Sequence, residues 1–438
     1  MIKYGFFEYI KKILIVIITF YILTFFAFDN NPLISLISLS LNLLICLNIA
    51  CYLFFKNYRW NIIISFFFIL KIFIGAIHYL YFFDSSYFSS GNFVYLNHEF
   101  SAVYQHLELS VDYKKENGIF AFYPLGSITH QEIWSFISIP FVYYGKFFMN
   151  IAPINSFFAS LTTLNLLLIS KYYYVYSPKK LYYVLIISSL FPVTLISSLF
   201  WRDVVGIYLL SLAFILILLS KKNIVLNIIS ILISSFLFYS YRTLYALIIL
   251  FMSFLKYVKV NFITLLLALF FTLYIGYYIF INYSIQYITI NDLTAIYNYN
   301  ILSVFIKIPL GFIGPFPWNQ FFDNAIFSYQ IQENIQAVFN LTFLYFFVRN
   351  FKSMILQYKN DIIFQTSFLL ILAGLINPFM HLVYVSFAFI YLIPFLANYT
   401  TLKNFLNRFL LIGILLFTFN IFYILFFQDG LNLSSLWK

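Results

Sequence analysis

Apolar residues fill this chain in blocks of about 17–23, each closed by a short polar turn, as in "LISLISLSLNLLICLNIACYLFF" ended by "KNYR". Blocks of that length match a helix crossing a bilayer; barrel strands would be about 10 residues long and would alternate in polarity. The pattern predicts an all-α, polytopic membrane protein of thirteen spans. They fall near residues 12–28, 33–55, 61–83, 155–174, 181–201, 203–220, 223–240, 243–257, 260–282, 334–349, 361–377, 380–398 and 408–427. The first block is too long for a cleaved leader and no small-residue cleavage site follows it, so it reads as a retained span.

The block at Ile133–Ile151 is of similar length but carries Gly145 and Lys146, with Pro153 just beyond it. Counted as a span, it would invert the topology of everything after it. We read it as a re-entrant or interfacial helix, which is tolerated where protein or a wet cavity covers the backbone. With the N-terminus inside, the inner turns hold Lys11 and Lys12, Lys56 and Arg59, Lys179 and Lys180, Lys221 and Lys222, Lys256 and Lys259, Arg349 to Lys359, and Lys403 with Arg408. Every inner turn is then basic, as the positive-inside rule requires. The chain reads as one integral domain, 1–438, with two large outer segments at 84–154 and 283–333.

Composition agrees. The 438 residues are 63% hydrophobic and 9% charged, with mean hydropathy +0.93, whereas soluble domains carry roughly 25% charged residues. The net charge of +11 is accounted for by inner-turn lysines and does not call for nucleic acid. Cys46 and Cys51, five residues apart on one predicted helix, suggest neither a disulfide nor a metal site. No phosphate loop, dinucleotide fingerprint, CxxC or HExxH motif is present, and the outer acids lack tight ligand spacing. We expect no cofactor and no metal.

The candidate chemistry faces outward. In this topology twelve of the fourteen acids are outside, Glu8 and Asp361 being the two inside, and all five histidines lie toward the outer face. Between Lys180 and Lys221 the only charges are Arg202 and Asp203, in "SSLFWRDVVGIYLL". Arg202 and Arg242 (in "SFLFYSYRTLYALIILF") are the outer arginines, against the topological bias. An intramembrane guanidinium costs about 2.5–3.5 kcal/mol on insertion scales and is a functional candidate by default. Its planar fork suits paired phosphate oxygens. Asp84 follows the third span in "FFDSSYF" and is placed to accept a proton from a sugar hydroxyl. His130, in "FAFYPLGSITHQEIW", and Asp203 are further candidates for the chemical step, and His381 for substrate contact. Trp318, in "IKIPLGFIGPFPWNQFFDN", sits among aromatic rings that either form an interfacial belt or stack on sugars. Charges inside the spans are few, chiefly Lys71.

These stretches, with the overall length and helix count, resemble the bacterial O-antigen and capsule repeat-unit polymerases, and more widely the GT-C class of lipid-linked-sugar transferases. The resemblance covers most of the chain loosely. It implies an inverting glycosyl transfer on the outer face of the bacterial inner membrane, from an undecaprenyl-diphosphate-linked oligosaccharide, with a chain-length regulator protein as a possible partner. Arg202 and Arg242 match the outer arginines that hold the diphosphate, and Asp84 matches the position of the early acid. Two other functions compete: a GT-C transferase adding one sugar from a polyprenyl phosphate, and a flippase for lipid-linked oligosaccharides. A plain scaffold is disfavoured by the paired arginines.

Overall fold

The computed structural model describes residues 5–25, 32–56, 58–83, 112–118, 151–195, 201–220, 223–239, 327–376 and 382–426. Among them the fold is helical throughout. The helices are α1 (Phe6–Phe25), α2 (Pro32–Phe55), α3 (Tyr58–Phe83), α4 (Ile151–Leu168), α5 (Pro178–Leu190), α6 (Pro192–Leu195), α7 (Trp201–Leu219), α8 (Ile224–Tyr239), α9 (Phe327–Tyr358), α10 (Ile362–Ile376), α11 (Leu382–Leu396) and α12 (Leu402–Phe426). A further turn of helix covers 112–117 and ends at Gly118, whose φ of +101° is the left-handed stop that glycine adopts without strain. The described helices fall into two compact units, 1–190 with 194–253, and 191–193 with 254–438.

Local chemistry explains most helix ends. Pro32, Pro178 and Pro192 each occupy the first position of a helix, where the missing N–H is no loss. Asn223 caps α8 by accepting from the backbone N–H of Val225 and Leu226 at 3.0 and 3.2 Å. Asp361 does the same for α10 through Ile363 and Phe364, at 2.9 and 3.2 Å. Pro192 also corrects the sequence reading. The span expected at 181–201 stops at Leu190 and restarts as the four-residue α6, because a proline cannot continue the hydrogen-bond ladder of the helix before it. The span expected at 334–349 is the 32-residue α9, about 48 Å long and longer than a bilayer core is thick. Spans expected at 243–257 and 260–282, and the re-entrant helix, lie outside the described residues.

Four helical stretches are long and apolar enough to cross a membrane: Ile34–Phe55, Tyr58–Ala76, Ala152–Tyr173 and Leu402–Phe419. Shorter apolar helices accompany them. In the first unit, many large apolar side chains face out, and several polar ones are buried among the apolar residues of the core. On α1 the buried positions are Phe6, Tyr9, Ile13, Val16, Phe20 and Thr24, one stripe at helical spacing, while Leu14, Ile17, Ile18 and Ile22 are exposed. Ile37, Leu41 and Ile45 of α2 and Ile62, Phe66, Ile69 and Phe73 of α3 are likewise exposed. The buried set includes Asn155, Ser156, Ser160, Thr162, Thr163 and Asn165, all from α4. This arrangement belongs to a bundle whose surroundings are lipid, where close packing and interhelical hydrogen bonds hold helices together. The protein is therefore read as a multi-helical membrane protein.

Helix α4 is the hub of the first unit. It packs on α2, α3, α5 and α7, and 89% of its spanning stretch is buried. In the second unit α9 packs on α11 and α12, and α10 on α11. Phe343 stacks on Phe389 and Phe346 on Phe405, with centroids 4.9 and 5.8 Å apart. Asn398 donates to the Tyr358 hydroxyl and Tyr399 to Gln357 Oε1 at 2.7 Å, tying the turn after α11 to the end of α9.

Candidate functional site

The candidate site is built around α7. From Val204 to Leu218 every residue of this helix is buried, so α7 is surrounded by protein rather than lipid. Its first turn carries Arg202 and Asp203. An acid in the first turn of a helix needs no special explanation, because it meets the positive end of the macrodipole. A cation there is disfavoured by the same field. Asp203 thus has an ordinary electrostatic reason to occupy its position, and Arg202 does not. Asp84, His130, Arg242, Trp318 and His381 lie outside the described residues. Asp84 directly follows the last residue of α3 in the chain.

Two buried polar networks hold α7 and its neighbours. In the first, the Tyr9 hydroxyl of α1 donates to Asn165 Oδ1 of α4 at 3.3 Å. Asn165 Nδ2 donates to Ser211 Oγ of α7 at 2.9 Å, and Ser211 Oγ donates to the Tyr208 carbonyl at 2.6 Å. The Asn165 amide thus joins three helices, using both of its ends. Ser211 lies nine residues below Arg202, about 13.5 Å along the helix, so this clamp sets the height of the charged turn. Interhelical hydrogen bonds of this kind in membranes are each worth about 0.6–2 kcal/mol.

The second network contains Lys71, on α3. Its side chain is 1% exposed, and its Nζ donates to Ser160 Oγ of α4 at 3.3 Å. Ser160 Oγ donates in turn to the Ser156 carbonyl at 2.8 Å. Among the described residues no carboxylate lies within ion-pair distance of Lys71. A charge at that depth costs about 2.5–3.5 kcal/mol on insertion scales. A single bond from a charged donor returns about 1.5–3 kcal/mol and leaves the charge itself unneutralised.

The sequence pattern marked Lys71 as a charge inside a span but gave it no role. Asn165 and the serines of α4 went unmarked. A signal was present: "INSFFASLTTLNLLLIS" (residues 154–170) carries seven polar residues in a block otherwise apolar, too many for a helix that faces lipid.

At the opposite end of α2, Lys171 lies over the rings of Tyr172, Phe55 and Trp60, at 4.9, 5.2 and 5.5 Å from their centroids. Lys12 lies 5.8 Å from the Phe54 centroid. These cations rest on aromatic faces at the end to which the sequence assigned the inner lysines. Lys171 sits in a π-helical turn, Ile169–Tyr173, that extends α4. Among the described residues no three of His, Cys, Asp or Glu gather as metal ligands would. No protein-family model matches the chain, and no curated protein or solved structure is significantly similar to it.

Proposed function

We propose that the protein is a glycosyltransferase of lipid-linked oligosaccharides, joining undecaprenyl-diphosphate-linked repeat units on the outer face of a bacterial inner membrane. The observation that carries this reading is Arg202, a cation in the first turn of a helix buried on all sides. The local field works against it there, so it serves something other than the stability of α7. An anionic ligand bound at the end of α7 gives the guanidinium such a role. As a sugar leaves a diphosphate, negative charge grows on that diphosphate, and a guanidinium fixed beside it stabilises the transition state more than the ground state. Arg242 takes the same role from the sequence pattern. Asp84, His130 and Asp203 are the candidates for the proton transfers, and His381 and Trp318 for holding sugar. The bilayer supplies the lipid-linked substrates, and a chain-length regulator is a partner of the kind such an enzyme uses.

The test is the chain-length distribution of surface polysaccharide in a deletion strain complemented with variants, with protein amount followed by blot. Loss of one such donor lowers the rate about 10²–10³-fold, so Arg202→Ala should leave single repeat units. Arg202→Lys keeps the charge but loses the fork and should also be impaired. Full-length ladders from both variants at normal protein levels would refute the role of Arg202. If Arg202 merely neutralises Asp203, the Arg202→Ala/Asp203→Ala pair will restore the ladder that Arg202→Ala loses.

A second reading, a transporter for lipid-linked oligosaccharides, is favoured by one observation, the buried Lys71 at membrane depth. The two readings separate in the deletion strain. A polymerase leaves single repeats at the surface, whereas a transporter leaves none. A transferase of one sugar would instead extend its acceptor by a single residue.

A further inference from the structure

Lys71 combines three features. It is 1% exposed within a stretch long enough to cross a membrane. Its hydrogen-bond partner among the described residues is a neutral hydroxyl, Ser160 Oγ. It also stands at the end of a polar strip on α4. Asn155, Ser156 and Ser160 are all 0–1% exposed and lie within two turns of one another. Farther along the row from Ser156 and Ser160 come Leu164 and Leu167, both apolar and buried. The nearby Thr163 hydroxyl turns back to its own helix, donating to the Ala159 carbonyl at 3.4 Å. The strip therefore leads from the first turns of α4 down to the ammonium and stops there.

We propose that Lys71, with Ser160 of α4, forms an intramembrane subsite for one phosphate group of a polyprenyl-linked substrate. The proposal rests on the reading of the protein as one that handles lipid-linked sugars. Lys71 offers three N–H donors on a compact head with a flexible four-carbon stem. Such a head serves a single phosphate as a point charge, whereas the guanidinium of Arg202 serves paired oxygens. The Ser160 hydroxyl can rotate from the Ser156 carbonyl to a phosphate oxygen. A phosphate there pairs the ammonium, which a serine hydroxyl cannot do. The isoprenoid tail needs no site of its own, because the outward faces of α2 and α3 are apolar.

The experiment measures ligand-induced thermal stabilisation of the purified full-length protein in detergent, with farnesyl phosphate, farnesol and inorganic phosphate as probes. Farnesyl phosphate should raise the melting temperature of the wild type and farnesol should not. Stabilisation by inorganic phosphate at similar concentrations would keep the anion site but assign it to free phosphate rather than to a lipid. Lys71→Met should bind farnesyl phosphate at least tenfold more weakly, while melting unliganded at or above the wild-type temperature, since it removes a buried charge. If Lys71→Met does not accumulate, Ser160→Ala decides, with an expected severalfold loss of affinity. Binding that is unchanged in these variants, or absent in the wild type, overturns the subsite. No chain extension enters this measurement. Farnesyl phosphate binding through Lys71 by a protein that makes no ladder would sink the polymerase and leave the subsite standing.

Discussion

Single residues carry the most informative departures from what lipid and helix geometry prefer. Val175, at the end of the π-helical turn, has φ of +54°, a conformation in which a β-branched side chain is strained by about 1–2 kcal/mol. Val175→Gly relieves that strain and should raise the melting temperature in detergent, the gain being held to about 1 kcal/mol by the greater freedom of glycine when unfolded. A lower melting temperature would mean that the valine side chain makes a compensating contact. Asn165 is the converse case, a residue whose loss strands others. Asn165→Leu leaves the Tyr9 hydroxyl and Ser211 without their interhelical partner and should destabilise the protein by about 1–3 kcal/mol. A double-mutant cycle with Ser211→Ala should show coupling of at least about 0.5 kcal/mol, and strict additivity would contradict the shared bond. Arg202, Asp203 and Lys71 were legible in the sequence because charge is rare in this chain. Asn165, Ser156 and Ser160 were not, because a hydroxyl or amide inside an apolar block looks the same whether it faces a neighbouring helix, its own backbone or lipid.

At the scale of helices, the apolar blocks foretold the elements well where one block makes one helix. Helices α2, α3, α7, α8, α10 and α11 all begin and end within about three residues of their expected limits. The misses have physical causes. Pro192 splits one expected span, and α9 runs on through polar residues such as Gln332 and Gln357 that a hydropathy pattern excludes from a span. What hydropathy could not foretell is which helices are central. Helices α4 and α12 are both read as apolar spans, yet 89% of the α4 stretch and 6% of the α12 stretch are buried. The polar residues of α4 are the physical reason, since they need partners that lipid does not provide. The same helices yield a topology test. Reporter fusions at residues 180 and 222 should read cytoplasmic and one at 320 should read outside. A cytoplasmic reading at 320 would remove the outer face on which Arg242 and Trp318 were placed.

For the whole molecule, the membrane character rests on long apolar helices whose exposed faces also carry large hydrophobic side chains. The proposed chemistry rests on a smaller base. It needs an anion at the first turn of α7, held at a fixed height by the Tyr9–Asn165–Ser211 clamp, and a lipid-linked donor to bring that anion. The donor would carry its own activated bond, which fits a chain with no nucleotide-binding motif. The most direct measurement is therefore made on the purified protein, reconstituted in vesicles with an undecaprenyl-diphosphate-linked repeat unit as both donor and acceptor and with no nucleotide present. The account predicts a ladder of products spaced by whole repeat units, formed by the wild type and lost with Arg202→Ala. Unreacted repeat units in the presence of folded wild-type protein would contradict it.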